Sequence, residues 1–227
     1  IFGYGDDGSV SSLTNLVNNS GVVAADVTGV GTARNTPAAC GYGSDKAIFG
    51  YGYSGGYVSL TNLVSNSGVV SADVTGVGTA RSRIAAATYG GDKGIFGYGQ
   101  GSNLSMTNLV SNTGVVGSDV TGVGTARRGL AAASYGGDKV IFGYGDTGSK
   151  VSITNLVNNS GVVSADVTGV GTGRFSLAAA SYGGDKAIFG YGETASNVSM
   201  TNLVSNSGVV ASDVSGVGTA RNGLAAA

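Results

Sequence analysis

A chain without histidine can build neither a Ser-His-Asp triad nor an imidazole metal site, and these 227 residues contain none. The one cysteine, Cys40, stands where parallel stretches of the chain carry Ala87, Ala133 and Ala180, which reads as a small buried side chain rather than a nucleophile. Acids are more plentiful. Asp26, Asp73, Asp119, Asp166 and Asp213 recur at a near-constant interval, and Asp45, Asp92, Asp138 and Asp185 sit in turn-like text. Glycoside hydrolysis needs two carboxylates within about 5–10 Å of each other. Acids set one per repeat are spread apart by the repeat itself, and turn aspartates are accounted for by hydrogen bonds to their own backbone. The segment Gly-Val-Gly-Thr-Ala-Arg has the glycines of a phosphate loop without its Lys-Ser/Thr ending, and no helix is expected after it. The expectation is a protein that is not an enzyme and uses no cofactor or metal, and whose chemistry is that of recognition.

What could position recognising residues is set by repetition. Ile-Phe-Gly begins at Ile1, Ile48, Ile95, Ile141 and Ile188, intervals of 47, 47, 46 and 47. Units of this size cannot bury a hydrophobic face alone, so period and copy number decide the architecture. With 41% hydrophobic and 11% charged residues a packed core is available, while 43 glycines weigh against helices, since each costs about 1 kcal/mol in a helix interior. Each unit divides into four stretches. Strand A is the small-residue text Leu-Ala-Ala-Ala-Ser-Tyr (130–135), followed by a Gly-Gly-Asp turn; strand B is Lys-Val-Ile-Phe-Gly-Tyr (139–144). Strand C is the alternating text at 151–157, and after an Asn-Ser-Gly turn strand D runs from 162 to about 170. Four antiparallel strands repeated five times predict an all-β, five-bladed β-propeller, one domain over residues 1–227. A β-solenoid would use shorter coils, roughly 20–30 residues each.

Ile1 falls on strand B and residues 224–227 read as strand A alone, so the C-terminal strand A is expected to pair with the N-terminal B-C-D strands and close the ring. Arg34, Arg81, Arg127, Arg174 and Arg221 precede strand A, and Gly3-Tyr4-Gly5 and its copies end strand B. In this order the unit resembles the kelch-type propeller repeat, which has an Arg before strand A and a Gly-Gly pair ending strand B. The resemblance runs through every unit, although the family's strand-D Trp has no counterpart in a chain without Trp. It implies that strand A is innermost, its alanines suiting a narrow centre, and that the ring serves as a platform for protein partners.

Two places differ freely among the five units. One is the B–C loop, with Asp6 and Asp7, Tyr53 and Tyr57, Gln100 and Asn103, Asp146 and Lys150, Glu193 and Asn197; the other is the D–A loop after each Arg, with Arg83, Arg128 and Phe175. In an antiparallel meander these connections share one end of the blade. Varied loops on a rigid scaffold are a common place for recognition, and drift after duplication would vary them too. The candidate contact residues are those side chains together with the recurrent Arg34, Arg81, Arg127, Arg174 and Arg221, whose other role would be an inter-blade bond to a strand-D Asp. Asn15, Asn62, Asn108, Asn155 and Asn202 in strand C read as structural, needing backbone partners if buried.

Twelve basic against thirteen acidic residues leave a net charge of −1, which does not fit nucleic acid as a partner. No apolar run approaches a membrane span. The expected partner is a carbohydrate or a surface protein met by a monomer, either at five similar sites acting by avidity or across one mixed patch; a spacer without ligand is the third possibility. Gly/Ser/Thr/Asn-rich repeats also fit a phage or bacterial surface protein, placing the chain extracellularly or on a virion.

Overall fold

The computed structural model describes residues 1–226 and is all-β, without helices. Five small antiparallel sheets follow one another along the chain, in a five-bladed propeller-like arrangement. The first pairs β1 (Phe2–Asp6) with β2 (Val10–Asn15). The second is β3 (Ala38–Tyr42), β4 (Lys46–Tyr53) and β5 (Tyr57–Val64); the third is β6 (Ala85–Tyr89), β7 (Lys93–Gly99) and β8 (Leu104–Val110). β9 (Ala131–Tyr135), β10 (Lys139–Gly143) and β11 (Thr154–Val157) form the fourth, and β12 (Ala178–Tyr182), β13 (Lys186–Gly190) and β14 (Thr201–Val204) the fifth. Strands A, B and C are therefore present in sequence order, as two hairpins sharing strand B. The A–B hairpin needs left-handed backbone at its tip, which Gly136 (φ 60°) and Gly137 (φ 82°) supply in the fourth sheet.

Strand D departs from expectation. It was expected as a continuous strand from 162 to about 170, but it forms no ladder with strand C: the two meet at single bridges, Val157 to Val163 and Thr154 to Val167, with equivalents in every unit, and through scattered hydrogen bonds such as Ser164 N–H to Leu156 O (2.8 Å). The second to fifth sheets thus have three strands and a further irregular edge, and the first has two strands and such an edge. Part of the segment's bonding is turned away from a ladder: Ser164 bonds strand C through its side chain as well as its backbone, and the Asp166 carboxylate is shared with the neighbouring sheet, as described below.

The core lies between sheets. Ala85, Ala87, Tyr89, Ile95 and Tyr98 of the third sheet bury against Leu130, Val140, Phe142 and Val157 of the fourth, and the same cluster recurs at the neighbouring junctions. Strands β3, β6, β9 and β12 lie side by side in that order and form the inner wall, so strand A is innermost. Between the first and second sheets the cluster shrinks to Phe49, Val64 and Val70, because β1 has no strand A beside it. The expected closing strand is not formed: residues 224–226 have no strand pairing, and Ala227 lies outside the described residues.

Candidate recognition face

The Gly-Tyr-Gly that ends strand B organises each junction. Tyr4, Tyr51, Tyr98, Tyr144 and Tyr191 all take left-handed backbone, φ 61° to 64°, a conformation that costs a non-glycine residue of order 1–2 kcal/mol. The bulge this creates, seen as a register shift between Gly50 and Gly52, turns the tyrosine inward. Tyr51, Tyr98 and Tyr144 are fully buried, each donating its hydroxyl to a carbonyl, Val77 O (3.1 Å), Val123 O (3.1 Å) and Val170 O (3.2 Å). Each ring meets a phenylalanine of the following sheet, such as Tyr144 on Phe189 with centroids 5.1 Å apart. Burial pushes these three phenols up to about 12, although the adjacent Arg pulls the other way.

Over each tyrosine face lies the recurrent Arg, 4.0 to 4.3 Å from the centroid. Arg127 donates from Nε to Tyr144 O (2.7 Å), from Nη1 to Thr125 O (3.0 Å) and from Nη2 to Asn155 Oδ1 (2.7 Å), the first and last belonging to the next sheet. Arg34, Arg81 and Arg174 repeat the pattern. The next sheet's strand-D aspartate completes the junction. Asp166 accepts from the backbone and hydroxyl of Thr125 and from Asn155 Nδ2, with Asp73, Asp119 and Asp213 in the same role. Partial burial pulls these carboxyls upward, but the Thr and Asn hydrogen bonds prevail and hold them below the usual range. Two Arg–Asp pairs close to ion-pair distance, Arg81–Asp119 at 3.8 Å and Arg174–Asp213 at 3.9 Å.

This removes four candidate contact residues. Arg34, Arg81, Arg127 and Arg174 were counted among ligand-binding side chains, yet all four are 0% exposed. A guanidinium whose donors are spent on buried acceptors in the next sheet is not available to a ligand, so their role is to join sheets. Arg221 is the exception, exposed, with Nη1 on Thr219 O (3.1 Å).

The varied loops do come together. The first residue after each Arg pairs through backbone with the residue following the next Gly-Tyr-Gly: Asn35 with Tyr53, Ser82 with Gln100, Arg128 with Asp146, Phe175 with Glu193. Side chains reinforce the contact and vary around the ring, with an amide-to-carboxylate bond shared by the first and last units. Asn35 donates to Asp6 (2.9 Å) and Asn222 to Glu193 (2.6 Å); Arg128 lies 3.8 Å from Asp146; Lys150 is 3.4 Å from Glu193, donates to Thr194 O, and stands over the Phe175 ring at 5.1 Å. Hydrogen bonds from Asn35 and then Gly8 N–H lower the Asp6 carboxyl. Tyr53 and Tyr57, 40% and 41% exposed, meet edge to face with centroids 5.7 Å apart. Asp7, Arg83 and Asn197 are exposed, while Gln100 and Asn103 are half-buried, the latter donating to Asp146 O (3.4 Å).

Nearer the axis the loops are tied by a belt of backbone bonds missed by sequence reasoning. Arg83 N–H donates to Thr36 O (3.3 Å), Gly129 to Arg83 O (2.9 Å), Ser176 to Gly129 O (2.8 Å) and Gly223 to Ser176 O (2.9 Å). The signal for it was the varied second residue after each Arg, where all five adopt φ of 50° to 64°.

Cys40 is buried in the junction core, and its thiol is pushed up to about 12 by burial. Among the described residues no three acidic or cysteine side chains gather as metal ligands would, and no helix is long and apolar enough to cross a membrane. The fold and face define an all-β repeat protein whose buried joints recur and whose rim varies. No protein-family model matches the chain, and none of the curated proteins matches it either.

Proposed function

We propose that the chain is a non-enzymatic recognition module, a kelch-like five-bladed ring completed by its terminal strand A, that seats one surface protein across the loop face. The carrying observation is the division of labour at each junction. The recurrent Arg, Tyr, Asn and Asp are consumed in the joints, so what reaches the rim is unlike from sheet to sheet: Asn35 and Tyr53, Ser82 and Gln100, Arg128 and Asp146, Phe175 and Glu193. Five equivalent small-ligand pockets would need repeated groups at the rim. A mixed patch of aromatic and charged side chains on a rigid frame matches the composition of protein interfaces.

A glycan is the second reading, favoured by the exposed Tyr53–Tyr57 pair, whose ring faces offer apolar area beside the polar loop backbone. The source remains a phage or bacterial surface protein in this reading. Binding to glycan and cell-surface protein arrays, followed by titration calorimetry, tests both. One partner per chain, with affinity reduced about 30-fold or more by Tyr53→Ala, Arg128→Ala or Phe175→Ala, supports the protein reading. Five saccharides per chain would replace it with the glycan reading. Loss of binding on Asp138→Ala, with the loop variants unaffected, would move the site to the opposite end.

A further inference from the structure

Twelve basic and thirteen acidic side chains are distributed over the chain, and nearly all of them are spent within it. The recurrent Arg and the strand-D Asp hold the joints. At the A–B turns each Asp closes on the Lys beside it, Asp45 with Lys46 at 2.7 Å and the three equivalent pairs at 3.4 to 3.9 Å. On the loop face Arg128 is matched by Asp146, Lys150 by Glu193 and Asp6 by Asn35, while Asp26 accepts from Asn15 and Arg221 lies over Tyr191. Among the described residues two charged side chains are left with no hydrogen bond, ion pair or ring: Arg83 and Asp7. Both are exposed, and both belong to the varied loops.

These two stand around one loop. Asn35 donates to Asp6, the neighbour of Asp7, and pairs through backbone with Tyr53, whose ring meets Tyr57; the next residue, Thr36, accepts from Arg83 N–H (3.3 Å). A free anion, an exposed aromatic pair and a free cation therefore gather about Asn35 and Thr36. The cation sits on strained backbone. Arg83 has φ 50°, left-handed, at the position that Gly129 and Gly223 fill in the third and fifth units. Glycine takes this conformation without penalty, so the belt itself does not call for an arginine. Strain kept at a side chain that bonds nothing in its own chain points to a partner outside it.

We infer that Arg83 and Asp7 are the charge anchors of the loop face. The surface protein seated there presents a segment with a carboxylate for Arg83, a basic group for Asp7, and between them an aromatic or aliphatic side chain for Tyr53 and Tyr57. This rests on the protein reading proposed above and names the chemistry of its partner. Two anchors of opposite sign also fix the direction in which the segment lies, because reversing it sets like charges together. Arg83 belongs to the axial belt, so its ion pair is covered by the partner and acts mainly on dissociation. Asp7, at a loop tip, acts on association and is screened by salt.

The test uses the full chain and a displayed library of random peptides of about 12 residues, which span roughly 40 Å when extended. The wild type is expected to enrich peptides with an acid and a base on either side of an aromatic or aliphatic residue. Arg83→Glu is expected to exchange the acid for a base, and Asp7→Lys the base for an acid. On the strongest peptide, titration calorimetry should show affinity reduced about 10- to 100-fold by Arg83→Ala. Lys139→Ala, whose ammonium is already paired with Asp138, should leave it unchanged. No enrichment, or a charge pattern that survives both reversals, overturns the inference. If Tyr53→Ala abolishes an enrichment that has no charge pattern, the loop face stands and its anchors do not. Enrichment indifferent to Tyr53, Arg128 and Phe175 removes the loop-face reading as well. Acidic saccharides bound through Arg83 in place of peptides overturn the assignment to a protein. A structural role is read separately: Arg83→Gly, which relieves the backbone, is expected to hold or raise the melting midpoint while weakening the peptide as Arg83→Ala does. A midpoint lowered by more than about 4 °C makes Arg83 part of the frame and overturns its role as an anchor.

Discussion

Replacing Arg127 by Ala probes the joint that holds consecutive sheets together. The side chain is 0% exposed and makes three hydrogen bonds of 2.7, 3.0 and 2.7 Å, besides lying 4.3 Å over the Tyr98 ring. Its removal leaves Tyr144 O and the fully buried Asn155 Oδ1 without their donor. Each orphaned buried acceptor costs about 1–3 kcal/mol, and losing a desolvated cation–π contact adds about 1–2 kcal/mol. Relief from burying the guanidinium offsets part of this; burial is what drives the Arg127 pKa below its ordinary value. The net loss is about 3–5 kcal/mol, the range seen when one partner of a buried charged network is deleted. For a chain of this size about 1 kcal/mol shifts the melting midpoint by 2–4 °C, so the expected drop is about 6–20 °C. Thermal melts followed by circular dichroism at pH 7 read it, with exposed Arg83→Ala as the comparison, expected to shift by no more than about 2 °C. Arg127→Lys keeps the charge but lacks the fork that reaches both Tyr144 O and Asn155, and falls between the two. If Arg127→Ala melts with Arg83→Ala, the joint does not hold the sheets as described.

Acid sensitivity follows from the aspartates in the same joints. Asp73, Asp119, Asp166 and Asp213 have folded pKa values below the ordinary 3.8, so their contribution is complete above that value and lost as pH falls through the folded ones. The midpoint should stay level from pH 8 to 5 and fall below about pH 4, less steeply in Asp119→Asn; an unchanged midpoint at pH 3 contradicts this. Gly97→Ala tests the close approach of sheets, because a Cβ there would lie 2.7 Å from Phe142 Cζ, a ring with no exposed surface. Overpacking of this kind costs about 1–3 kcal/mol, and urea unfolding at unchanged slope should show it; no loss would mean the sheets are more loosely packed at Gly97 than the structure has them.

Much of the fold was legible because repetition and local chemistry determine it. The interval between Ile-Phe-Gly phrases, the alternation in strand C and the glycines of the A–B turn act over a few residues, and β3 to β14 lie within that text, although strand C, expected over 151–157, is shortened to Thr154–Val157 in the fourth sheet and Thr201–Val204 in the fifth. Strand D was less legible. Its valines look like ladder residues, but the Asp166 carboxylate is shared with Thr125 of a neighbouring sheet, and single bridges and scattered hydrogen bonds to strand C are what remain. The candidate site divided in the same way: the loops Asn35, Tyr53, Arg128 and Asp146 were found by comparing one unit with another, whereas the recurrent Arg, which the text offers both as a contact residue and as an inter-blade bond to a strand-D Asp, is buried in the joint at four of its five copies.

The reason is specific to repeats. Arg127 is 28 residues from Asn155 and 19 from Asn108, and identical units give both asparagines the same text. Sequence by itself therefore determined the unit, its three ladder strands and the varied loops, all of them short-range properties. Only the tertiary structure decided that each Arg reaches forward into the next sheet, that each Gly-Tyr-Gly tyrosine turns inward in left-handed backbone, and that five varied loops meet around one axis. Those outcomes depend on which copy packs against which, and that choice is made by burial between sheets rather than within any one of them.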